Sequence, residues 1–168
     1  MILVLAVVAM AACGAGSQEQ VRLTAQDFRS EDRNEIPAAA GAILEQADHF
    51  ELLSLDPRSQ LTVVDGDFHG FRLLGTAVIK DTETRQKLVS AFKNAIAEKP
   101  GAIAACFNPR HGIRVSKNRE RADFGICFEC RQVQVSYGEF QREFPINNSA
   151  EALFNSVLRA RGLPLADK

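Results

Sequence analysis

Tryptophan is absent from this chain, and one tyrosine stands against eleven phenylalanines. Platforms that stack sugars or single-stranded bases draw on Trp and Tyr, so neither class is favoured. A charge excess is also missing. Lys+Arg 20 against Asp+Glu 21 leaves a formal net charge of −1. Duplex-binding surfaces usually carry a basic excess, so no nucleic-acid partner is expected. No apolar run reaches the roughly 20 residues that a membrane-spanning helix requires. No repeat at a 20–50 residue period is visible, which excludes a solenoid. Six prolines and eleven glycines are too few for a collagen-like or linker-dominated chain. What remains is 168 residues that are 46 % hydrophobic, enough for one core and one domain.

Residues 1–12 read MILVLAVVAMAA, apolar throughout and uncharged. The length and the small residues at its end fit the apolar core of a secretory signal. A buried N-terminal element is the competing reading. Met10-Ala11-Ala12-Cys13-Gly14 matches a bacterial lipobox, with Met10 where Leu is usual. Cys13 is therefore the expected lipidation site, and the membrane the expected partner through that anchor. Ala9-Met10-Ala11 also suits ordinary signal peptidase, which would leave Cys13 a plain thiol. Residues 13–35 turn polar and are expected to form a membrane-proximal tether, with a short strand at Val21–Leu23 as the alternative. Residues 36–168 are expected to form one folded domain.

Pro37 opens a helical pattern over 37–47. Phe50 to Leu55 reads as a strand, Gln60 to Val64 as a shorter one, and Asp65-Gly66 as a turn. In the strand Phe71 to Lys80, alternation places Phe71, Leu73, Gly75, Ala77 and Ile79 on one face. Asp81 caps a helix whose apolar stripe is Leu88, Val89, Phe92, Ala95 and Ile96, ended by Lys99-Pro100-Gly101. Ala102 to Phe107 reads as a central strand, and strands are expected at 112–116, 123–130 and 132–137. Asn148 with Glu151 reads as a capping box for a last helix with Leu153, Phe154, Val157 and Leu158 inside. Runs of strands between helices predict an α+β domain, an antiparallel sheet with helices packed on one face. A doubly wound parallel sheet is the alternative.

Cys106, His111, Cys127 and Cys130 have the spacing C-x4-H-x15-C-x2-C. Three thiolates and one imidazole would complete a tetrahedral zinc site, the one cofactor the sequence suggests. Against zinc, Cys127 and Cys130 lie in a strand pattern, where positions three apart face opposite sides. Against thiol redox, Glu129 sits between the two cysteines and would disfavour a thiolate. The plainer expectation is a structural disulfide. A hairpin turning at Asn118 sets Arg114 opposite Ala122 and Cys106 opposite Cys130, closing a loop that contributes about 3 kcal/mol. A register shift of one residue favours Cys127 instead.

Arg110, His111 and Arg114 are candidates to converge on a carboxylate or phosphate, since the guanidinium fork suits such groups. An enzyme built on Arg110 and His111 is a further alternative. Asp65 to Gly70 resembles a calcium loop but lacks its later acids, so a glycine-rich turn is expected. His49 and His69 stand isolated. No Ser-His-Asp order, carboxylate pair or phosphate loop is legible, which favours a non-catalytic binding or structural module.

CFNPRHGIR and ICFEC, preceded by FRLLGTAVIKD and the capped helix, resemble an uncharacterised group of bacterial lipoprotein-like proteins over residues 71–164. The resemblance implies a cell-envelope location, periplasmic or at the surface, and brings no activity with it.

Overall fold

The computed structural model describes residues 36–58, 67–98 and 101–167. The signal segment, Cys13, the tether, the strand at 60–64, the turn at Asp65-Gly66 and the stop at Lys99-Pro100 lie outside the described residues.

The described elements are α1 (Ala38–Gln46), β1 (His49–Asp56), β2 (Arg72–Val78), α2 (Thr82–Ala97), β3 (His111–Lys117), β4 (Glu120–Cys127), β5 (Gln132–Tyr137), β6 (Phe140–Pro145) and α3 (Glu151–Ala160). The strands form a six-stranded sheet in the order β2-β1-β3-β4-β5-β6. Every neighbouring pair is antiparallel. β2 and β3 both flank β1 and therefore run parallel to each other. The connection through α2 crosses over β1, and a plain meander continues from β3 to β6.

The α+β expectation holds, and the helices pack on one face. Phe50, Leu52, Ile113, Val115, Phe124 and Val135 share that face by register and join Leu44, Leu88, Phe92 and Phe154 in one buried cluster. Phe92 meets Phe124 edge to face at 5.4 Å. In α2 the buried residues are Leu88, Val89, Phe92, Ala95 and Ile96, the stripe read from the 3.6-residue period. The Asp81 carboxylate accepts the Thr84 N–H at 2.7 Å, and that bond lowers its pKa.

Several expectations change. Residues 102–107 form no strand: most are exposed and the segment runs as irregular chain beside the β4–β5 turn. The central place expected for it is taken by β1, hydrogen-bonded on both sides. β6 carries Gln, Arg and Glu, which hid its alternation. It pairs with β5 through a tight turn at Gly138, whose φ of 56° suits a residue without Cβ. α3 begins at Glu151 with no side-chain cap; Asn147 Oδ1 instead accepts the Ser149 N–H just before it.

β2 does not keep one face. Its pairing with β1 shifts between Ser54 and Leu55, leaving one extra residue in β2. The shift turns Phe71 and Leu73 to the sheet face opposite Ala77. There they join Leu53, Leu55, Phe68 and Phe107 in a second, smaller cluster. Gly112 and Gly125 are cross-strand partners beneath it. A Cβ on Gly112 would lie 3.3 Å from the Phe68 ring, and one on Gly125 would lie 3.5 Å from the Phe107 ring. These two glycines let aromatic rings approach the backbone closely on the helix-free face.

The β3–β4 hairpin turns over Asn118 and Arg119, with Lys117 opposite Glu120 and Arg114 opposite Asp123. That is one residue away from the register centred on Asn118. A two-residue loop with Asn118 in the left-handed region, φ 56°, matches the twist of the flanking strands. Because side chains alternate, the one-residue difference decides what Arg114 meets.

Candidate functional site

Arg114 meets Asp123. Its Nε and Nη2 donate to the two carboxylate oxygens at 2.9 and 3.0 Å. His69 lies 2.9 Å from Asp123 Oδ2, and Arg114 covers the Phe68 ring at 5.1 Å. Burial pushes the Asp123 carboxyl up, but bonds from His69 and Arg114 outweigh it and the net shift is downward. His69 is therefore not isolated. It sits in a tight turn closed by mutual Phe68 and Phe71 backbone bonds, with Gly70 at φ 86°, in the described part of the Asp65–Gly70 segment. Arg114 does not join Arg110 and His111 at an anion site. Its fork is occupied by Asp123 on the face of the sheet opposite His111.

His111 opens β3 on the helix side, where its sheet partners are Ser54 and Ile126. Ser54 donates to the Pro164 carbonyl of the C-terminal segment. His111 Nε2 lies 2.9 Å from Asn155 Oδ1 on α3. That oxygen can only accept, so the ring proton sits on Nε2. The ring lies against the edges of Phe128 at 5.2 Å and Phe154 at 6.0 Å. Burial, against a smaller opposing effect of the Asn155 bond, lowers the His111 pKa from 6.5 to about 4. The imidazole is thus neutral at neutral pH. Its Nδ1 is buried and has no partner. An unsatisfied buried acceptor of this kind costs about 1–3 kcal/mol unless something meets it.

Beside this ring lies a cleft of ≈ 400 Å³. Its floor is His111 and Phe128. One wall is the polar stripe of α3 and the turn before it, Asn148, Glu151, Asn155 and Arg159; the other carries Arg110, Glu129 and Arg131, and Leu165 and Ala166 close one end. Arg110 is spent: it pairs with the Glu129 carboxylate and donates to the Asp167 carbonyl. Arg131 and Arg159 carry no side-chain ion pair among the described residues. Among the described residues the cleft thus offers two guanidinium groups and one carboxylate, Glu151, outside any ion pair, together with the amide of Asn148 and, beneath its surface, the neutral imidazole. Sequence reasoning found Arg110 and His111 but missed Arg131, Asn155 and Arg159. The recurrence of Asn148, Glu151, Asn155 and Arg159 at three- and four-residue steps was the available signal for one wall.

The cysteines adjoin the cleft. Cys127 and Cys130 form a disulfide with Cα atoms 5.2 Å apart, and Cys106 is free and exposed. This corrects the Cys106–Cys130 pairing. Residues 128–131 are not strand but a tight turn, with Arg131 at φ 59° and its N–H bonded to the Phe128 carbonyl. A turn brings positions three apart together, where a strand sets them on opposite sides. Glu129 points away to Arg110. Of the four residues spaced for zinc, two are bonded to each other and His111 binds Asn155. Among the described residues no three His, Cys, Asp or Glu side chains converge to hold a metal ion.

Fold and site together define an α+β domain with a split β-α-β start, an antiparallel meander and a polar cleft at one end of its helix layer. The chain matches no protein-family model, no curated protein and no solved structure.

Proposed function

We propose that this chain is a non-catalytic binding module of the bacterial cell envelope, anchored by lipid on Cys13, whose cleft takes a small anionic ligand. The observation that carries the ligand reading is unspent polar capacity in one place. The buried Nδ1 of His111 lacks a donor, and Arg131 and Arg159 outnumber Glu151, the cleft carboxylate that has no ion pair among the described residues. A small carboxylate bearing a hydroxyl or ammonium group on the neighbouring carbon meets both demands. The apolar leader and lipobox support export. The disulfide supports it too, since such bonds persist in oxidising compartments. Among the described residues no helix is long and apolar enough to cross a membrane.

Thermal denaturation of the folded domain with lactate, serine, acetate and phosphate tests the cleft. Lactate or serine is expected to raise Tm more than acetate, and Arg159→Ala to abolish the rise. Equal, negligible shifts for all four overturn the reading. Metal analysis of untagged protein separates the zinc alternative: stoichiometric zinc would replace this proposal, and its Cys127–Cys130 bond would then be absent.

A further inference from the structure

Three sulfurs lie in one contact group. Cys106 Sγ is 3.6 Å from Cys130 Sγ, which is already bonded to Cys127. Cys127 and Cys130 are buried, each 1 % exposed, whereas Cys106 faces solvent. The segment carrying Cys106 is held against the turn on both sides. The Ala104 N–H donates to the Cys130 carbonyl at 3.1 Å, and Gln132 donates to the Ala104 carbonyl. Beyond the cysteine, the Asn108 N–H donates to Cys130 Sγ at 3.3 Å. Forming a bond of about 2.05 Å then requires the two sulfurs to close by only about 1.5 Å.

We propose that Cys106, Cys127 and Cys130 form an internal disulfide-exchange site, with Cys106 as its solvent-facing member. The Cys106 thiol loses its proton to water, and the thiolate attacks Cys130 Sγ. The Cys106–Cys130 bond forms as the Cys127–Cys130 bond breaks, and the electron pair leaves on Cys127 Sγ. One thiolate is consumed and one produced, so no oxidant or reductant takes part. The leaving sulfur has a donor in place: the Cys130 N–H points at Cys127 Sγ at 3.1 Å. A hydrogen bond to the departing thiolate speeds exchange by stabilising the charge that develops there. Glu129, the one carboxylate between the two turn cysteines, is engaged by Arg110 and does not face the attacking thiolate uncompensated.

The two pairings are different mechanical states. Cys127–Cys130 closes only the β4–β5 turn and leaves the segment before β3 tied by hydrogen bonds and the packing of Phe107, with no covalent link to the turn. Cys106–Cys130 staples that segment to the turn, across a sequence separation of 24. Phe128, Glu129 and Arg131 of the same turn wall the cleft, so the pairing bears on its shape. Exchange also exports reactivity: the shifted bond places one disulfide sulfur, that of Cys106, within reach of an external thiol that the buried pair excludes.

Peptide mapping reads the pairing directly. Trypsin places Cys106 in Asn94–Arg110 and both turn cysteines in Ala122–Arg131, because the Lys99-Pro100 bond resists cleavage. The full chain carrying Cys13→Ser is incubated without thiol from neutral to about pH 8, quenched in acid, alkylated and digested. The expected result is a cross-linked pair of these peptides beside the internally bonded Ala122–Arg131. Its share approaches equilibrium faster as pH rises, and the rate is unchanged on dilution. In Cys127→Ser, oxidised glutathione is expected to drive Cys106 and Cys130 into the same cross-link. Finding only the internal bond at every pH overturns the proposal. So does a Cys127→Ser chain that folds yet leaves both remaining thiols alkylatable, or a cross-link whose rate falls on dilution.

Discussion

His111 and Asp123 show how single side chains set the pH response. The folded His111 has its pKa lowered from 6.5 to about 4, so the unfolded chain binds more protons between those values. Stability is therefore full above pH 6.5 and is lost as pH falls through about 4, by an amount on the order of 3 kcal/mol. Thermal or urea denaturation across this window is expected to show that loss in the native chain and a much smaller one in His111→Phe. Asp56 acts lower on the scale. Bonds from Arg72 and Arg58 bring its carboxyl from 3.8 to about 2, so its contribution disappears only as pH falls through that range. Asp123 is buried with Arg114 and His69 around it. Asp123→Ala strands the Arg114 charge and is expected to cost about 3 kcal/mol in urea denaturation. Neither role was legible in the sequence. His111 read as a zinc ligand or anion binder, and Arg114 as its neighbour. A side chain's partner depends on which face its strand presents, and one residue of register reverses that.

Elements were more legible where burial is one-sided. α2 has a polar face and an apolar stripe, so period and cap both marked it, and the structure buries the same five residues. β3, β4 and β5 alternate in sequence because one face packs on helices, but only β5 also alternates in burial, since Phe68, Phe107 and Arg114 cover part of the other face of β3 and β4. The failures have local causes. Residues 102–107 are apolar enough for a strand, but both places beside β3 are taken, by β1 and β4. β6 is an edge strand with charged alternate positions, and its hairpin glycine was the better clue. The bulge in β2 split a regular alternation between two clusters. The glycine pair beneath Phe68 and Phe107 offers an element-scale test. A Cβ on Gly112 would lie 3.2 Å from a Leu53 methyl as well as against Phe68. Gly112→Val is expected to destabilise by about 1–3 kcal/mol in urea unfolding, since β3 is central and cannot move aside.

At the scale of the whole molecule, the proposed leader and the folded part make separate predictions. Cys13→Ser expressed in a bacterial host is expected to shift the chain from the detergent-extracted membrane fraction to the soluble fraction, with the domain's Tm unchanged. Composition, periodicity and capping were enough to determine an α+β fold with helices on an antiparallel sheet, because hydrophobic burial imposes its period on any chain that folds this way. Turn chemistry at Asn118, Gly138 and Cys127–Cys130, the bulge in β2 and the placement of α3 over His111 were decided only by tertiary structure. The bulge and the placement of α3 depend on how distant segments meet, and the turns on the register their strands take in the sheet. The cleft and the three-sulfur cluster lie where such segments meet, between α3, the start of β3 and the β4–β5 turn, and no single stretch of sequence carries either one.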